Sequence, residues 1–305
     1  MLISACSKPP SRPITIAINP WPGYEFLYLA EQKGFFQEVG LNVQLIQLGS
    51  LADAQRAYIN GRADGLTSTL IEAVQAEPLG GKPLTITLVP DYSNGGDVII
   101  ASSEIKDITA LKGKTVGCEV TSLGIYVLQR ALSKAGLSLD DVNVVNTEQS
   151  GGERAILDKT IDAFVSYPPE SINILKNKGY HIVFSSAEIP FEIIDTLSIS
   201  SEVIMKTPGL IKKLHKVWDL ALEFSKANPD EAYQIMAERE GISAEEFKAA
   251  LSDLVVLDRK EQQKLFAQPD KLESAAMSVC KTLVKVKSLN SDCAYLSGIV
   301  YRGEI

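Results

Sequence analysis

Histidine and cysteine are scarce in this chain. Its 305 residues include two histidines and four cysteines, and no two cysteines form a C-x-x-C pair. No set of these residues has the spacing of a metal-ligand motif. The sequence therefore predicts neither a bound metal nor a cofactor.

Motifs of catalysis and of nucleotide binding are absent as well. The sequence contains no P-loop, no G-x-G-x-x-G turn and no G-x-S-x-G nucleophile elbow. His181 immediately precedes a predicted strand, and His215 lies within an amphipathic, lysine-bearing helix, so neither adjoins a motif. These absences favour a binding protein over an enzyme.

The chain also has fewer basic than acidic residues. Lysine and arginine total 30 against 38 aspartates and glutamates, which gives a formal net charge of −8. Nucleic acids and anionic membrane surfaces are bound by basic faces, so we expect neither as a partner surface. No apolar run approaches the roughly 18–20 residues that span a bilayer. At about 100–200 residues per domain, the length predicts two domains.

The first residues resemble a bacterial lipobox. Ile3-Ser4-Ala5-Cys6 places a branched apolar residue and two small residues before a cysteine, and a proline- and serine-rich segment follows. We interpret residues 1–12 as lipobox and tether, with Cys6 lipidated and the protein anchored to the membrane in the periplasm or at the cell surface. The basic and longer apolar segments of a usual signal are not in the sequence. The alternative is an ordinary chain start with a chance cysteine.

The other cysteines have structural interpretations. Cys118 lies in an apolar strand and is expected to be a core residue. Cys280 and Cys293 are close in sequence, and export would allow them to form a disulfide. Two free buried thiols are the alternative.

Predicted strands and helices alternate in two similar halves. The first half has strands at 14–18, 42–48 and 64–69 and helices at 25–33 and 51–60. The second has strands at 114–120, 142–146 and 161–166 and helices at 123–135 and 152–157. In each half an aspartate, Asp64 or Asp162, opens the third strand. This order predicts an α/β fold with two lobes, each a mostly parallel sheet covered by helices.

The second lobe is predicted to be inserted into the first. Extended segments at 97–101 and 195–200 connect the halves, and helices at 210–227, 229–240, 243–254, 259–267 and 271–286 follow. We expect lobe 1 to comprise 13–100 plus 197–305, and lobe 2 to comprise 101–196. Two connecting strands would form a hinge, with a cleft between the lobes.

An ordered set of short motifs resembles a known family. The motifs include Trp21-Pro22-Gly23-Tyr24, Lys33-Gly34-Phe35-Phe36, Asn60-Gly61-Arg62-Ala63-Asp64, Asp91–Asp97 and Tyr167-Pro168-Pro169. Together they resemble the nitrate/taurine/sulfonate and thiamine-pyrimidine-precursor binding proteins. The resemblance implies a type II periplasmic-binding-protein fold that closes on a small-molecule ligand, and ABC permease and ATPase subunits as partners. We expect a monomer.

The candidate site lies where the strands of both lobes end. Loops at the carboxyl ends of parallel strands face the crevice and hold ligands in such folds. The candidate ligand-binding residues are Trp21, Tyr24, Ser68, Thr69, Tyr92, Ser93, Asn94, Asp97, Glu119, Thr121, Ser122, Tyr167 and Asp195.

The charge of the ligand is left open between two alternatives. Acids without lysine or arginine occupy the candidate positions, which favours a nitrogenous ligand with N–H donors. The start of a helix at Thr121 and Ser122 would instead suit an anion such as a sulfonate or nitrate. A two-lobed enzyme of pyrimidine or cofactor biosynthesis and a sensor subunit are the alternatives to an importer component.

Overall fold

The computed structural model describes residues 12–305. Cys6 and the interpreted lipobox lie outside the described residues. The strands are β1 Ile14–Ile18, β2 Val43–Gln47, β3 Gly65–Thr69, β4 Leu84–Leu88, β5 Asp91–Ser93, β6 Val98–Ser102, β7 Thr115–Cys118, β8 Asn143–Asn146, β9 Ala163–Ser166, β10 Tyr180–Ser185, β11 Asp195–Ser200 and β12 Leu254–Val256.

Helices cover the sheets formed by these strands. They are α1 Glu25–Gln32, α2 Phe35–Glu38, α3 Leu51–Ile59, α4 Leu70–Ala76, α5 Leu123–Lys134, α6 Gln149–Leu157, α7 Glu170–Leu175, α8 Ser201–Lys206, α9 Leu210–Ala227, α10 Pro229–Glu240, α11 Ala244–Ser252, α12 Arg259–Phe266 and α13 Pro269–Lys285. None of the helices between residues 12 and 305 is both long and apolar enough to cross a bilayer.

Lobe 1 is built on a five-stranded sheet. Its order is β2-β1-β3-β11-β4, with β1 parallel to β2 and β3, and β11 antiparallel to β3 and β4. Ile16, Ala17 and Ile18 of β1, an interior strand, are fully buried, because helices cover both faces of the sheet.

Lobe 2 repeats the plan with the order β10-β6-β9-β7-β8. Its strand β7 is parallel to β8 and β9, whereas β6 is antiparallel to its neighbours β9 and β10. The antiparallel strand β6 is the first strand of this lobe, and the antiparallel strand β11 is the one with which the chain re-enters lobe 1. The predicted mixed α/β architecture with two lobes is therefore confirmed.

The chain crosses between the lobes earlier than predicted. Because β6 Val98–Ser102 belongs to the second sheet, the predicted boundary between residues 100 and 101 falls inside a strand. We define lobe 1 as residues 12–93 and 195–305, lobe 2 as 98–185, and the crossing segments as 94–97 and 186–194. The two crossings contact each other: Ser186 donates its amide to Asp97 O at 2.8 Å.

The C-terminal helices pack on lobe 1. α9 packs against α1 and β4, and α13 packs against α4. The helix predicted at 243–254 ends at Ser252, and Leu254–Val256 instead forms β12, which pairs with β5. After α13, the chain returns so that Cys293 forms a disulfide with Cys280, and Cys118 is a buried free thiol.

Candidate functional site

The carboxyl ends of parallel strands from both lobes meet at one place. β1 leads to Trp21 in lobe 1, and β9 leads to Tyr167 in lobe 2. The rings of Trp21 and Tyr167 contact each other edge to face, with centroids 6.1 Å apart. The Tyr167 hydroxyl also accepts a hydrogen bond of 3.1 Å from the Leu51 amide of lobe 1. Residues predicted to line a cleft therefore form the contact between the lobes.

Two glycines allow the Trp21 loop to pack closely against Asp91 and against the segment that contains Gly96. A Cβ atom on Gly23 would lie 1.8 Å from Oδ2 of Asp91, and one on Gly96 would lie 2.7 Å from Cη2 of Trp21. Without those side chains, the Trp21 indole N–H approaches both carboxyl oxygens of Asp91 at 3.3 Å.

Three aspartates are buried together beside this loop. Asp91, Asp97 and Asp195 are each at most 1% exposed. The Tyr24 hydroxyl donates to Oδ1 of Asp195. Neither carboxyl oxygen of Asp97, nor Oδ2 of Asp195, has a partner at hydrogen-bond distance within residues 12–305. The Ser93 hydroxyl lies near Asp97 and lowers its pKa, and Asp91 lies near Asp195. A buried carboxyl group without donors is costly, so these oxygens are available to a bound group that donates hydrogen bonds.

Burial changes the acidity of these groups. Loss of water raises the pKa of Asp91 to about 7, and it raises the pKa of Asp97 to about 7, with the charge of Glu72 adding to the rise of Asp97. The pKa of Asp195 is raised by burial and then by the neighbouring Asp91. No lysine or arginine among the described residues forms an ion pair with these three acids.

Lobe 2 contributes a further acid. Glu119 follows β7, its Oε1 is buried without a partner among residues 12–305, and the Tyr167 hydroxyl lies 3.4 Å from its Oε2. Burial raises the pKa of Glu119 to about 8. The site thus presents unpartnered carboxyl oxygens from both lobes.

The side chain of Glu72 connects the two lobes through hydrogen bonds. It lies in α4 of lobe 1, and its Oε1 accepts hydrogen bonds from the Ser122 hydroxyl at 2.6 Å and the Leu123 amide at 2.7 Å, at the start of α5 in lobe 2. The helix start that would suit an anionic ligand is therefore filled by a carboxylate of the protein itself.

The structure groups some of the predicted site residues and separates others. Brought together around the buried acids are Trp21, Tyr24, Ser93, Asp97, Glu119, Ser122, Tyr167 and Asp195. Ser68 is buried, and its hydroxyl contacts that of Thr196 at 3.3 Å. The Thr69 hydroxyl caps α4, where it donates to Glu72 and accepts from the Ile71 amide.

Three predicted residues lie outside this group. Asn94 and Thr121 are exposed. The Tyr92 ring packs edge to face on Phe191, at a surface pocket that Val255 and Leu257 also line. In β5, side chains alternate between the two faces, so Asp91 and Ser93 point inward while Tyr92 points outward.

Sequence reasoning missed Asp91, Glu72 and Arg239. The alternation of β5 could have identified Asp91 as a companion of Ser93. Thr69-x-x-Glu72 matches a capping box, but that pattern predicts a contact within one helix and not a contact with a second lobe. For Arg239 no signal in the sequence connects α10 with the loop after β1.

Arg239 contacts the residues that precede and follow the Trp21 loop. Its side chain is 3% exposed, donates to Oε1 of the buried Glu25, and lies 3.4 Å from the carbonyl oxygens of Ile18 and Asn19. Glu25 begins α1, directly after the loop. The Arg239–Glu25 ion pair therefore fixes both ends of the segment that carries Trp21 and Tyr24.

No metal site accompanies the acids. Within residues 12–305, no three histidine, cysteine, aspartate or glutamate side chains are grouped so that they could hold a metal ion. The buried His215 is not part of this group of acids. Its Nε2 forms a hydrogen bond of 2.7 Å with Thr87 O, and its ring packs on Phe266.

Residues 21–232 match the profile of the family described as NMT1/THI5 like. The match covers more than half of the chain and includes Trp21, the buried aspartates and Glu72. The chain belongs to the NMT1/THI5 like family.

Relatives within this family have different names. A protein of Brucella abortus (strain 2308) that is named as a binding protein is 30% identical over 237 residues, covering 70% of this chain and 67% of the relative. A Haemophilus influenzae protein named for thiamine biosynthesis is 25% identical over 218 residues, covering 70% and 68%. A Saccharomyces cerevisiae 4-amino-5-hydroxymethyl-2-methylpyrimidine phosphate synthase is 26% identical over 153 residues, covering 49% and 44%.

Solved structures share the fold of this NMT1/THI5 like protein. The alkanesulfonate-binding protein SsuA of Xanthomonas axonopodis pv. citri superimposes with a TM-score of 0.79 at 14% identity, covering 96% of this chain and 100% of that one. The periplasmic nitrate-binding protein NrtA of Synechocystis PCC 6803 gives 0.74 at 12% identity, covering 94% and 84%. The predicted periplasmic-binding-protein fold is confirmed.

Proposed function

We propose that this protein is the extracytoplasmic substrate-binding component of an ABC importer and that it binds a small nitrogenous solute between its lobes. The observation that carries the proposal is the pair of unpartnered carboxyl oxygens on Asp97, a residue that is 1% exposed. Asp91, Asp195 and Glu119 surround the same place, and no arginine or lysine of the described chain neutralises them.

The chemistry of these acids selects the ligand class. A carboxylate accepts hydrogen bonds and repels anions, so a solute with several N–H donors and a full or partial positive charge satisfies the acids best. An amine, an amidine or an aminopyrimidine meets this requirement. The aromatic rings of Trp21 and Tyr167 suit a flat ring or a cation next to the acids.

The transport role is supported by the family and by the fold. A Staphylococcus aureus structure described as the ligand-binding component of an ABC-type import system shares this fold with a TM-score of 0.73. We propose that the protein acts as a monomer with permease and ATPase subunits, anchored through an acylated Cys6. Mass spectrometry of native protein extracted from membranes should find Cys6 acylated, and a retained Met1 on cytosolic protein would contradict the anchor.

Ligand binding is tested by calorimetry and by thermal shift at about pH 8, above the pKa of about 7 to which burial raises Asp91 and Asp97. The panel is 4-amino-5-hydroxymethyl-2-methylpyrimidine, benzamidine, methanesulfonate and nitrate. We expect N–H donors to raise the melting temperature, and Asp97→Asn to weaken their binding about ten- to a hundredfold, since the charge-assisted hydrogen bonds are lost.

The control is Asp158→Asn, which removes the same charge from the exposed surface of lobe 2. It should bind as the wild type does. Tight binding of methanesulfonate or nitrate that is unaffected by Asp97→Asn would contradict the nitrogenous ligand and favour an anion.

An enzyme is the second candidate, because two of the named relatives concern thiamine or pyrimidine biosynthesis. The described site argues against catalysis: His215 lies in the core of lobe 1, and burial raises the pKa of the Cys118 thiol to about 12. Recovery of every tested ligand unchanged after long incubation supports binding alone, and conversion of one of them would establish an enzyme.

A further inference from the structure

Glu72 joins two helices that belong to different lobes. It is fully buried, and its Oε2 accepts from the Thr69 amide at 2.9 Å and from the Thr69 hydroxyl at 2.6 Å, which caps α4 in lobe 1. Its Oε1 accepts from the Ser122 hydroxyl and the Leu123 amide at the start of α5 in lobe 2.

All four partners of Glu72 are donors. An ionised carboxylate only accepts hydrogen bonds, so the charged form fits all four contacts, whereas a protonated one would have to turn a hydroxyl, that of Thr69 or Ser122, from donor to acceptor. Burial raises the pKa of Glu72, and the hydrogen bonds from Ser122 and Thr69 oppose that rise. The geometry is that of a charged group held by a complete set of donors.

The start of α5 would attract an anion if Glu72 were absent. The first amides of a twelve-residue helix have no partners within the helix, and the helix dipole adds positive potential at that end. Glu72 occupies this position with its own negative charge. It also acts on the acids of the site, because its charge contributes to the raised pKa of Asp97 and of Glu119.

We propose that Glu72 is a specificity-determining residue that excludes anionic solutes by filling the start of α5 when the lobes meet. This inference rests on the proposed function, since it explains how the binding site of a nitrogenous solute rejects anions. Closure brings Glu72 to Ser122 and Leu123, so a closed form with an anion at α5 would require the carboxylate to be displaced.

Two variants separate the charge of Glu72 from its size. Glu72→Gln keeps a group of the same shape at α5 without the charge, and Glu72→Ala removes the group altogether. Glu261→Gln is the matched control, because Glu261 forms the same capping box with Asp258 in α12 and lies on the surface of lobe 1.

The probes are methanesulfonate and sulfate, titrated by calorimetry at neutral pH. We expect no measurable binding of either anion to the wild type or to Glu261→Gln at millimolar concentration. Glu72→Ala should bind at least one of them with a dissociation constant at least ten times below the highest anion concentration at which the wild type shows no binding, and Glu72→Gln should show a smaller gain. A purely structural role for Glu72 would lower stability without any gain in anion affinity.

The outcomes distinguish this inference from the proposed function. Anion binding that is equal in the wild type and in Glu72→Ala overturns the role of Glu72. If Glu72→Ala does not fold, Glu72→Gln decides, and an anion affinity no higher than that of Glu261→Gln overturns it as well. Binding of N–H donors by the wild type, and its loss in Asp97→Asn, is measured separately and judges the proposed function alone.

Discussion

Single buried residues set the chemistry of this protein. Asp97 and Arg239 are both ionisable groups removed from water, but Asp97 has unpartnered carboxyl oxygens whereas Arg239 is paired with Glu25. The unpartnered acid is available for a ligand, and the paired arginine organises the loop that presents Trp21. A buried charge whose partner is removed costs more than the pair itself contributes.

Arg239→Met should destabilise the protein, because it leaves Glu25 buried without its partner. We expect a loss of about 3–5 kcal/mol in the free energy of unfolding at pH 8, measured by chemical denaturation. The pKa of Glu25 is raised to about 7 by burial even beside Arg239, so a proton taken up at lower pH should reduce the loss at about pH 5.

Arg302→Met is the control for this variant. Arg302 pairs with Asp270 and Glu273, but its side chain is half exposed, so solvent screens the pair and little change is expected. Equal effects of the two variants would show that the Arg239 pair is not a structural element of the loop.

At the scale of elements, the C-terminal segment supports the helix that carries Glu72. α13 packs against α4, and the Tyr295 hydroxyl donates to Val74 O in α4. Tyr295 lies two residues after Cys293, whose disulfide with Cys280 ties this segment to α13. The disulfide therefore restrains the segment that packs against α4 through Tyr295 and α13.

Replacing both cysteines by alanine should lower stability and leave binding unchanged. The bond closes a short loop with a sequence separation of 13, for which about 2–4 kcal/mol is expected from the restricted unfolded chain. Chemical denaturation gives the loss of free energy, and calorimetry gives the ligand affinity. A reductant should lower the free energy of unfolding of the wild type by a similar amount and should leave that of the variant unchanged. A wild type whose stability is insensitive to reductant would contradict the bond.

At the scale of the whole molecule, we expect closure of the two lobes to be coupled to the ionisation of the acids buried near their contact. Asp97, Asp91 and Glu119 have pKa values raised to about 7, 7 and 8 when the lobes are in contact. We expect separation of the lobes to hydrate Asp97 and Glu119 and to return their pKa values toward ordinary values near 4. Protonation of these acids therefore stabilises the closed form fully at pH values below about 4. This stabilisation is lost as the pH rises through 7 to 8.

We therefore expect the unliganded protein to open as the pH rises from about 5 to about 8.5. Small-angle scattering should show a larger radius of gyration at the higher pH, and a saturating N–H donor should restore the smaller value. His215, whose pKa is lowered by burial to about 4, acts in the opposite sense on unfolding, but it lies within lobe 1 and does not affect the distance between lobes.

The double variant Asp91→Asn/Asp97→Asn is the control for this pH dependence. Without two of the titrating acids, the change in radius of gyration between the two pH values should decrease. A profile that is independent of pH in the wild type would contradict the coupling of closure to these acids.

Local patterns in the sequence determined the elements and their order. The helices Leu210–Ala227 and Pro229–Glu240 and the strand Asp195–Ser200 have the predicted bounds, because amphipathic periodicity and a proline at the first helical position act over a few residues. The alternation of strands and helices also predicted two α/β lobes. The strand β12 was missed, since three residues that pair only with the distant β5 carry no periodicity of their own.

The composition of the site was decided by the tertiary structure. Glu72 and Ser122 are separated by 50 residues, Trp21 and Asp91 by 70, and Tyr24 and Asp195 by 171. No local propensity relates positions so far apart. Packing within lobe 1 brings Trp21 to Asp91 and Tyr24 to Asp195, and contact between the lobes brings Glu72 to Ser122. The sequence could therefore indicate that acids follow the strands, while the tertiary structure decided which acids are buried, which one fills the start of α5, and which ones lack a partner.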